Sequence, residues 1–130
     1  MKCIAINPGN KYCVLDLEEP IHSTAGEVVG GKGGLIEIVR PRLLEDPFVL
    51  LVDEEGLLKD RNPCNLVGCF LYETLRHGNP IVGTIIMMAE HKNKHEEYDL
   101  RGLSDEELEY MTDKLLDFFP MLEEVERDEL

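Results

Sequence analysis

Two strand-like, mostly apolar segments, residues 2–7 and 11–17, stand on either side of Pro8-Gly9-Asn10. Two such segments around a turn-forming triplet predict a β-hairpin. With Gly9-Asn10 as a two-residue loop, Pro8 faces Lys11, Ile6 pairs with Cys13 and Ile4 with Leu15. That register gathers Ile4, Ile6, Cys13, Leu15 and Leu17 on one apolar face. It sets Cys3 on the face opposite Cys13, which disfavours a disulfide between them.

Further along, Ser23 or Thr24 is placed to cap a short helix running toward Val29, and the glycines at 30–34 end it. Residues 35–39 and 48–52 are near-continuous apolar runs, the pattern of strands covered on both faces. Asp53-Glu54-Glu55-Gly56 reads as a solvated turn into Leu57-Leu58, and a hairpin is one outcome. Residues 59–80 have the weakest pattern: 65–76 suit either a short helix or an irregular strand. A strand is expected over 81–88, then a polar loop over 91–101. The clearest helix starts at Ser104, with Glu107 completing a capping box and Leu103 placed to staple onto Leu108. Leu108, Met111, Leu115, Leu116, Phe118 and Phe119 form its predicted buried stripe. Pro120 ends or breaks it, leaving 121–127 as an extra turn. The fold expected is α+β: a mixed or antiparallel sheet of about five strands, one short helix and a C-terminal amphipathic helix. Residues 1–130 form a single domain, of which 119–130 is an acidic C-terminal extension.

Composition narrows the function. The net charge is −14, which argues against nucleic acid as a partner, because phosphate binding needs clustered Lys and Arg. Between residues 105 and 130 stand eleven Asp or Glu and two Lys or Arg, so most of that charge lies on the last helix and the tail. No apolar run is long enough to span a bilayer and no secretory signal follows Met1, which points to the cytoplasm of a bacterium or infected host. The closing Arg127-Asp128-Glu129-Leu130 mimics a retrieval signal that has no leader to make it readable.

Several constellations invite chemistry. Residues 26–33 nearly match a phosphate loop, but Gly33 stands where Ser or Thr should hold magnesium. The loop also leads from a helix into a strand, the reverse of the order that points a helix N-terminus at phosphate. A weaker anion nest of backbone N–H groups with Lys32 is the surviving functional reading; turn punctuation is the plainer one. Cys64, Cys69, His91 and His95 lack zinc-finger spacing and read as core cysteines and loop histidines. No metal or cofactor is implied. No nucleophile elbow or His-Glu-x-x-His motif occurs, so no catalytic residue is assigned. The acidic helix is either a solvated face or a surface that imitates nucleic acid toward a basic groove on another protein.

Taken in order, Pro8-Gly9, Val29-Gly30-Gly31, Ile36-Glu37-Ile38-Val39 and Val52-Asp53-Glu54-Glu55-Gly56 form a series. Asn65, Gly83-Thr84 and Leu103-Ser104-Asp105-Glu106-Glu107 continue it. The series resembles the family catalogued as domain of unknown function 3846, over about residues 1–118. Lys32-Gly33-Gly34 looks inserted relative to that pattern, and the tail after Pro120 is longer than it explains. The resemblance carries over no catalytic residues. It implies accessory gene content of phages and mobile elements, whose small acidic proteins often bind and block host defence proteins.

Three functions are therefore carried forward. The first is a non-enzymatic accessory protein that binds a host protein, counter-defence being one such role. The second is a binder of a small nucleotide-like signal, with Gly30, Gly31, Lys32 and Gly33 forming the loop, Arg40 and Arg42 as anion contacts, and Asn65 nearby. A homo-oligomer with an intersubunit pocket would favour that second reading. The third is an enzyme whose site joins the glycine loop, Asn65 and the 91–99 loop.

Overall fold

In the computed structural model, which describes residues 1–60 and 62–130, the N-terminal hairpin consists of β1 (Lys2–Ile6) and β2 (Lys11–Asp16). Its register differs by one residue from the expected one: Ile6 faces Tyr12, Ile4 faces Val14 and Cys3 faces Leu15. The turn is the cause. Asn10 sits at φ 61°, and Asn7 both donates its N–H to Lys11 O and accepts the Lys11 N–H on its side chain, each at 2.9 Å. The loop is thus three residues with a left-handed last position. A one-residue slip exchanges faces. Ile4, Ile6 and Tyr12 share one face, while Cys3, Ala5, Cys13 and Leu15 share the other. The two cysteines therefore lie on one face, contrary to expectation, as free thiols.

Five further strands complete the sheet: β3 (Ile36–Val39), β4 (Phe48–Asp53), β5 (Ile85–Lys92), β6 (Tyr98–Arg101) and β7 (Glu123–Glu124). The order is β3-β4-β5-β1-β2-β7, with β6 also on β5. β7 runs parallel to β2 and the remaining pairs are antiparallel, so the sheet is mixed. β5 is the spine. β4 lies along one side, and β1 and β6 follow one another along the other, with Ile4 opposite Met87 and Arg101 opposite Ala89. The strands missing from the five-strand expectation are the polar ones. The expected 91–101 loop is a hairpin whose turn is held by Asn93, and β7 replaces the expected extra helical turn at 121–127. β4 is buried at all six positions, as expected, but β3 is half exposed because it forms the sheet edge.

Helices cover both faces. α1 (Ile21–Gly30) packs Ile21, Ala25 and Val29 against Cys13, Leu15, Leu51 and Met88. It starts before Ser23, and Thr24 bonds its hydroxyl to Glu18 O at 2.8 Å instead of capping. On the other face lie α2 (Leu66–Tyr72), continued by the single turn α3 (Thr74–His77), and α4 (Asp105–Phe118). The poorly patterned 59–80 region thus holds two helices, and the expected count of helices was too low.

α4 begins with the predicted capping box. Ser104 Oγ accepts the Glu107 N–H at 3.1 Å, and Glu107 accepts the Ser104 N–H at 3.0 Å, an arrangement worth about 0.5–2 kcal/mol. Arg101 locks the same carboxylate with two bonds of 2.7 and 2.9 Å. Met111, Leu115 and Phe119 enter the core with Leu103, but Phe118 does not: it is 62% exposed. Phe119 lies past the last helical residue, at the C-cap of α4, and its non-helical backbone turns that ring into the core while Phe118 stays outside. Beyond Pro120 the tail returns to the sheet, burying Leu122 and donating the Val125 N–H to Tyr12 O.

Candidate functional site

The glycine loop closes on itself. Gly30 ends α1, and Gly31, at φ 79°, donates its N–H to Glu27 O at 3.0 Å. Gly34 donates to Gly31 O at 2.9 Å, so two N–H groups of the expected nest are spent on backbone carbonyls. Lys32 and Gly33 project into solvent at the tip. Arg40 and Arg42 lie beyond the other end of β3, each bound to a carboxylate. Arg40 grips Glu90 at 2.6 and 2.8 Å and covers the Tyr98 ring; Arg42 grips Glu73 at 2.6 and 2.7 Å. The loop and the arginines are therefore held apart, and both cations already have anions.

Asn65 is fully buried and serves the fold. Its side-chain amide donates to Ile6 O at 3.0 Å and Gly83 O at 2.9 Å, and its carbonyl accepts the Gly68 N–H at 3.0 Å as the cap of α2. This ties a β1 carbonyl to the start of a helix far away in sequence.

The acidic turn at 53–56 is not wholly solvated. The Asp53 side chain is 1% exposed and pairs with Lys59 at 2.6 Å, while Lys59 also donates to Gly30 O at 2.8 Å. A cation is thereby set on the C-terminal carbonyls of α1, where the helix dipole favours it. Leu57 and Leu58 belong to a 3-10 turn, not a hairpin. Cys69 exchanges hydrogen bonds with the Ile81 backbone. Among the described residues, no three His, Cys, Asp or Glu side chains are grouped to hold a metal ion.

What the fold does assemble is an apolar groove of about 200 Å³ between α2 and α4. Leu71, Met111 and Leu115 form its floor. Leu43, Phe70, Phe118 and Phe119 form its walls. α2 turns Val67 and Leu71 inward, which leaves Leu66 and Phe70, four residues apart, on its outer side. Phe70 is 53% and Leu43 41% exposed. The Phe70 ring meets Phe119 edge-on at 5.4 Å and 85°, a geometry worth about 0.5–1.5 kcal/mol beyond burial.

Both cations near this groove are neutralised. Lys114 pairs with Glu45 at 3.0 Å and Arg42 with Glu73. The Arg42 hydrogen bonds hold Glu73 below the usual carboxylate range, and the Lys114 ammonium does the same for Glu45. By contrast Glu106, Glu109, Asp113 and Asp117 follow one another along α4 at spacings of three and four, without an ion-pair partner among the described residues. No sequence motif announced the groove. Phe118, expected in the buried stripe of α4, instead forms one of the groove's walls.

A mixed sheet with helices on both faces defines an α+β fold, here with a partly exposed apolar groove on one face. The profile of the family described as domain of unknown function 3846 matches residues 1–116, and the chain belongs to that family. Neither a curated protein nor a solved structure gives a significant match. The match ends within α4, so Phe118, Phe119 and β7 lie beyond it. No helix among the described residues is long and apolar enough to cross a membrane.

Proposed function

We propose that the protein is a non-enzymatic accessory protein of a phage or mobile element, working in the host cytoplasm by binding a host protein through the α2–α4 groove. The observation that carries this reading is the pair Phe70 and Phe118, both more than half exposed on the walls of one apolar groove. Exposed aromatic area forgoes roughly 25 cal/mol per Å² of burial free energy, so the exposed parts of both rings are surface that a partner could bury. Contiguous apolar surface rimmed by polar groups is the usual mark of a protein contact. Aromatic side chains are also the commonest anchors of such contacts. The net charge of −14 favours a partner with a basic surface, and blocking a nucleic-acid-binding defence protein fits that preference.

Parallel capture from host lysate by the wild-type and Phe118→Asp proteins, followed by titration of the purified captured protein, tests the proposal. The expected result is a partner held by the wild type, reconstituted from pure components and lost with Phe118→Asp. Equal retention by both proteins, or retention by neither, overturns it.

A further inference from the structure

β3 closes one end of the sheet and has β4 as its single neighbour. Glu54 donates its N–H to Leu35 O at 3.0 Å, and the antiparallel register sets these two residues opposite each other. Hydrogen-bonded and non-bonded positions alternate along such a ladder. Leu35, Glu37 and Val39 therefore turn their backbone groups toward β4, while Ile36 and Ile38 turn theirs outward. No group among the described residues bonds the outward N–H and C=O of Ile36 or Ile38. The opposite end of the sheet is closed: β7 covers β2, with Asn10 O and Tyr12 O accepting the Glu123 and Val125 N–H groups. β6 also has one neighbour, but it carries the charged residues Asp99 and Arg101, a form in which edges discourage pairing. β3 is instead rich in β-branched residues, Ile36, Ile38 and Val39, which favour strand pairing.

We infer that β3 accepts an antiparallel strand from another protein, with a Lys or Arg opposite Glu37 and an apolar residue on either side of it. The outward groups of Ile36 and Ile38 select the backbone of the occupant, because an extended chain presents donors and acceptors at that repeat. Its side chains follow from the two faces of β3. Ile36 and Ile38 pack half-buried on the α1 side, so the residues opposite them are apolar. Glu37 points to the other side and lines a cleft of about 130 Å³ with Glu54, Tyr72 and Asn79. It lies opposite Val52, two residues from Glu54. Neither carboxylate has an ion-pair partner among the described residues. A cation opposite Glu37 serves both, and the net charge of −14 favours its approach.

A second copy of the chain is the wrong occupant. The twofold pairing that joins Ile36 of each copy to Ile38 of the other sets Glu37 against Glu37, and like charges directly opposite are destabilising. Centred on Ile38 instead, the pairing sets Glu37 against Val39, and the nearby Arg40 is already held by Glu90. The cleft beside this edge shares no lining residue with the α2–α4 groove, so the two surfaces are tested separately.

The test uses the full chain and short labelled peptides read by fluorescence anisotropy. The parent peptide has an Ile-Lys-Val core between threonines, and a second has Glu in place of the Lys. Two more carry N-methyl groups, one on the Ile and Val amides and the other on the Lys amide alone. In the antiparallel arrangement the Ile and Val amides face β3, while the Lys amide faces away. Methylating Ile and Val is expected to weaken binding at least tenfold, and methylating Lys to leave it within threefold. The Glu peptide is expected to bind at least tenfold more weakly than the parent, and Glu37→Lys to reverse that preference. Ile38→Pro deletes an outward N–H without removing a bond to β4, the one setting in which an edge strand tolerates proline. It should weaken the parent peptide at least tenfold, and the exposed Glu37 keeps the test decisive if the proline variant folds poorly.

Binding indifferent to methylation of the Ile and Val amides overturns the inference, as does an unchanged charge preference in Glu37→Lys or failure of the parent peptide to bind. Self-association of the free protein that Ile38→Pro abolishes would assign the edge to a second copy and also overturn it. If the peptides fail while groove-dependent capture of a host protein persists, this inference alone falls.

Discussion

Gly26 and Gly34 touch backbone to backbone: a methyl group on Gly26 would lie 2.1 Å from Gly34 O, and one on Gly34 would lie 2.2 Å from Gly26 O. The glycine-rich stretch is thus a packing device that lets the chain leave α1, double back along it and enter β3. Gly26→Ala would ordinarily gain about 1 kcal/mol of helix propensity. Here it is expected to destabilise by about 1–3 kcal/mol, because the obstacle is backbone and cannot rotate away. Gly33→Ala, with no atom within 4 Å but φ at 75°, should cost only the left-handed penalty of about 1–2 kcal/mol. Urea midpoints of the two variants check the contrast.

Asn65→Ala removes a helix cap and leaves the Ile6 and Gly83 carbonyls without the donor that satisfies them. Each buried unsatisfied group costs about 1–3 kcal/mol, so a total loss of about 3 kcal/mol or more is expected. Asn65→Asp keeps the cap but turns a carboxylate oxygen toward two carbonyls, and should be no better. Equilibrium unfolding in urea reads both. A near-neutral alanine variant would contradict the structural role given to this side chain.

Alanine at Phe118 and at Met111 separates the two sides of α4. Met111 is 2% exposed and its truncation should cost about 2–5 kcal/mol. Phe118 is largely solvent-exposed, so its loss should shift stability by no more than about 0.5 kcal/mol while abolishing partner binding. Thermal melts together with the binding titration check this.

These residues show what could be read from sequence. The capping box at Ser104, the helix after it, β4 and the N-terminal hairpin were legible, because each is a local pattern whose period or cap chemistry is decided within a few residues. The register of the hairpin was not: a two- and a three-residue loop are both compatible with Pro8-Gly9-Asn10, and Asn7 decides between them through one side-chain bond. β6 and β7 were missed because edge strands with polar side chains lack alternation. Asp53 read as solvated because its partner Lys59 belongs to a segment whose path the pattern did not define. The groove was hidden for a different reason. It combines Leu43, Phe70 and Phe118 from three separate segments, and nothing local marks them as neighbours.

Glu107 makes stability depend on pH at the acid end. The Arg101 hydrogen bonds, aided by the Ser104 N–H, lower its pKa from 4.5 to about 2. The folded value lies below the unfolded one, so unfolding takes up a proton. The stabilisation is complete above about pH 4.5 and is lost as pH falls toward 2, where both states are protonated. Glu107→Gln retains an acceptor for the cap but not the charge. The wild type should exceed it in stability at neutral pH, and the gap should close between pH 4.5 and 2. Urea midpoints across that range measure it, and a constant gap would refute the assignment.

The four thiols should fall into separate kinetic classes. Burial, with Cys13 beside it, pushes the Cys3 thiol up to about 12. It is therefore protonated and inert at neutral pH. Cys64 is exposed, so a disulfide-exchange reagent on the native protein at pH 8 should label it rapidly while Cys3 and Cys13 react only on unfolding. Peptide mapping after brief labelling identifies the site.

The alignment of β1 and β6 end to end along β5 also bears on how the chain is made. Ile4 finds Met87 only after more than eighty further residues have left the ribosome, a wait of roughly 4–17 s at about 5–20 residues per second. Throughout that interval the hairpin lacks its β5 neighbour, and the face carrying Ile4, Ile6 and Tyr12 lacks α4. A nascent chain of this protein is therefore expected to leave that face uncovered until its fifth strand and last helix emerge. Protease sensitivity of ribosome-bound chains should fall sharply only once β5 is outside the exit tunnel.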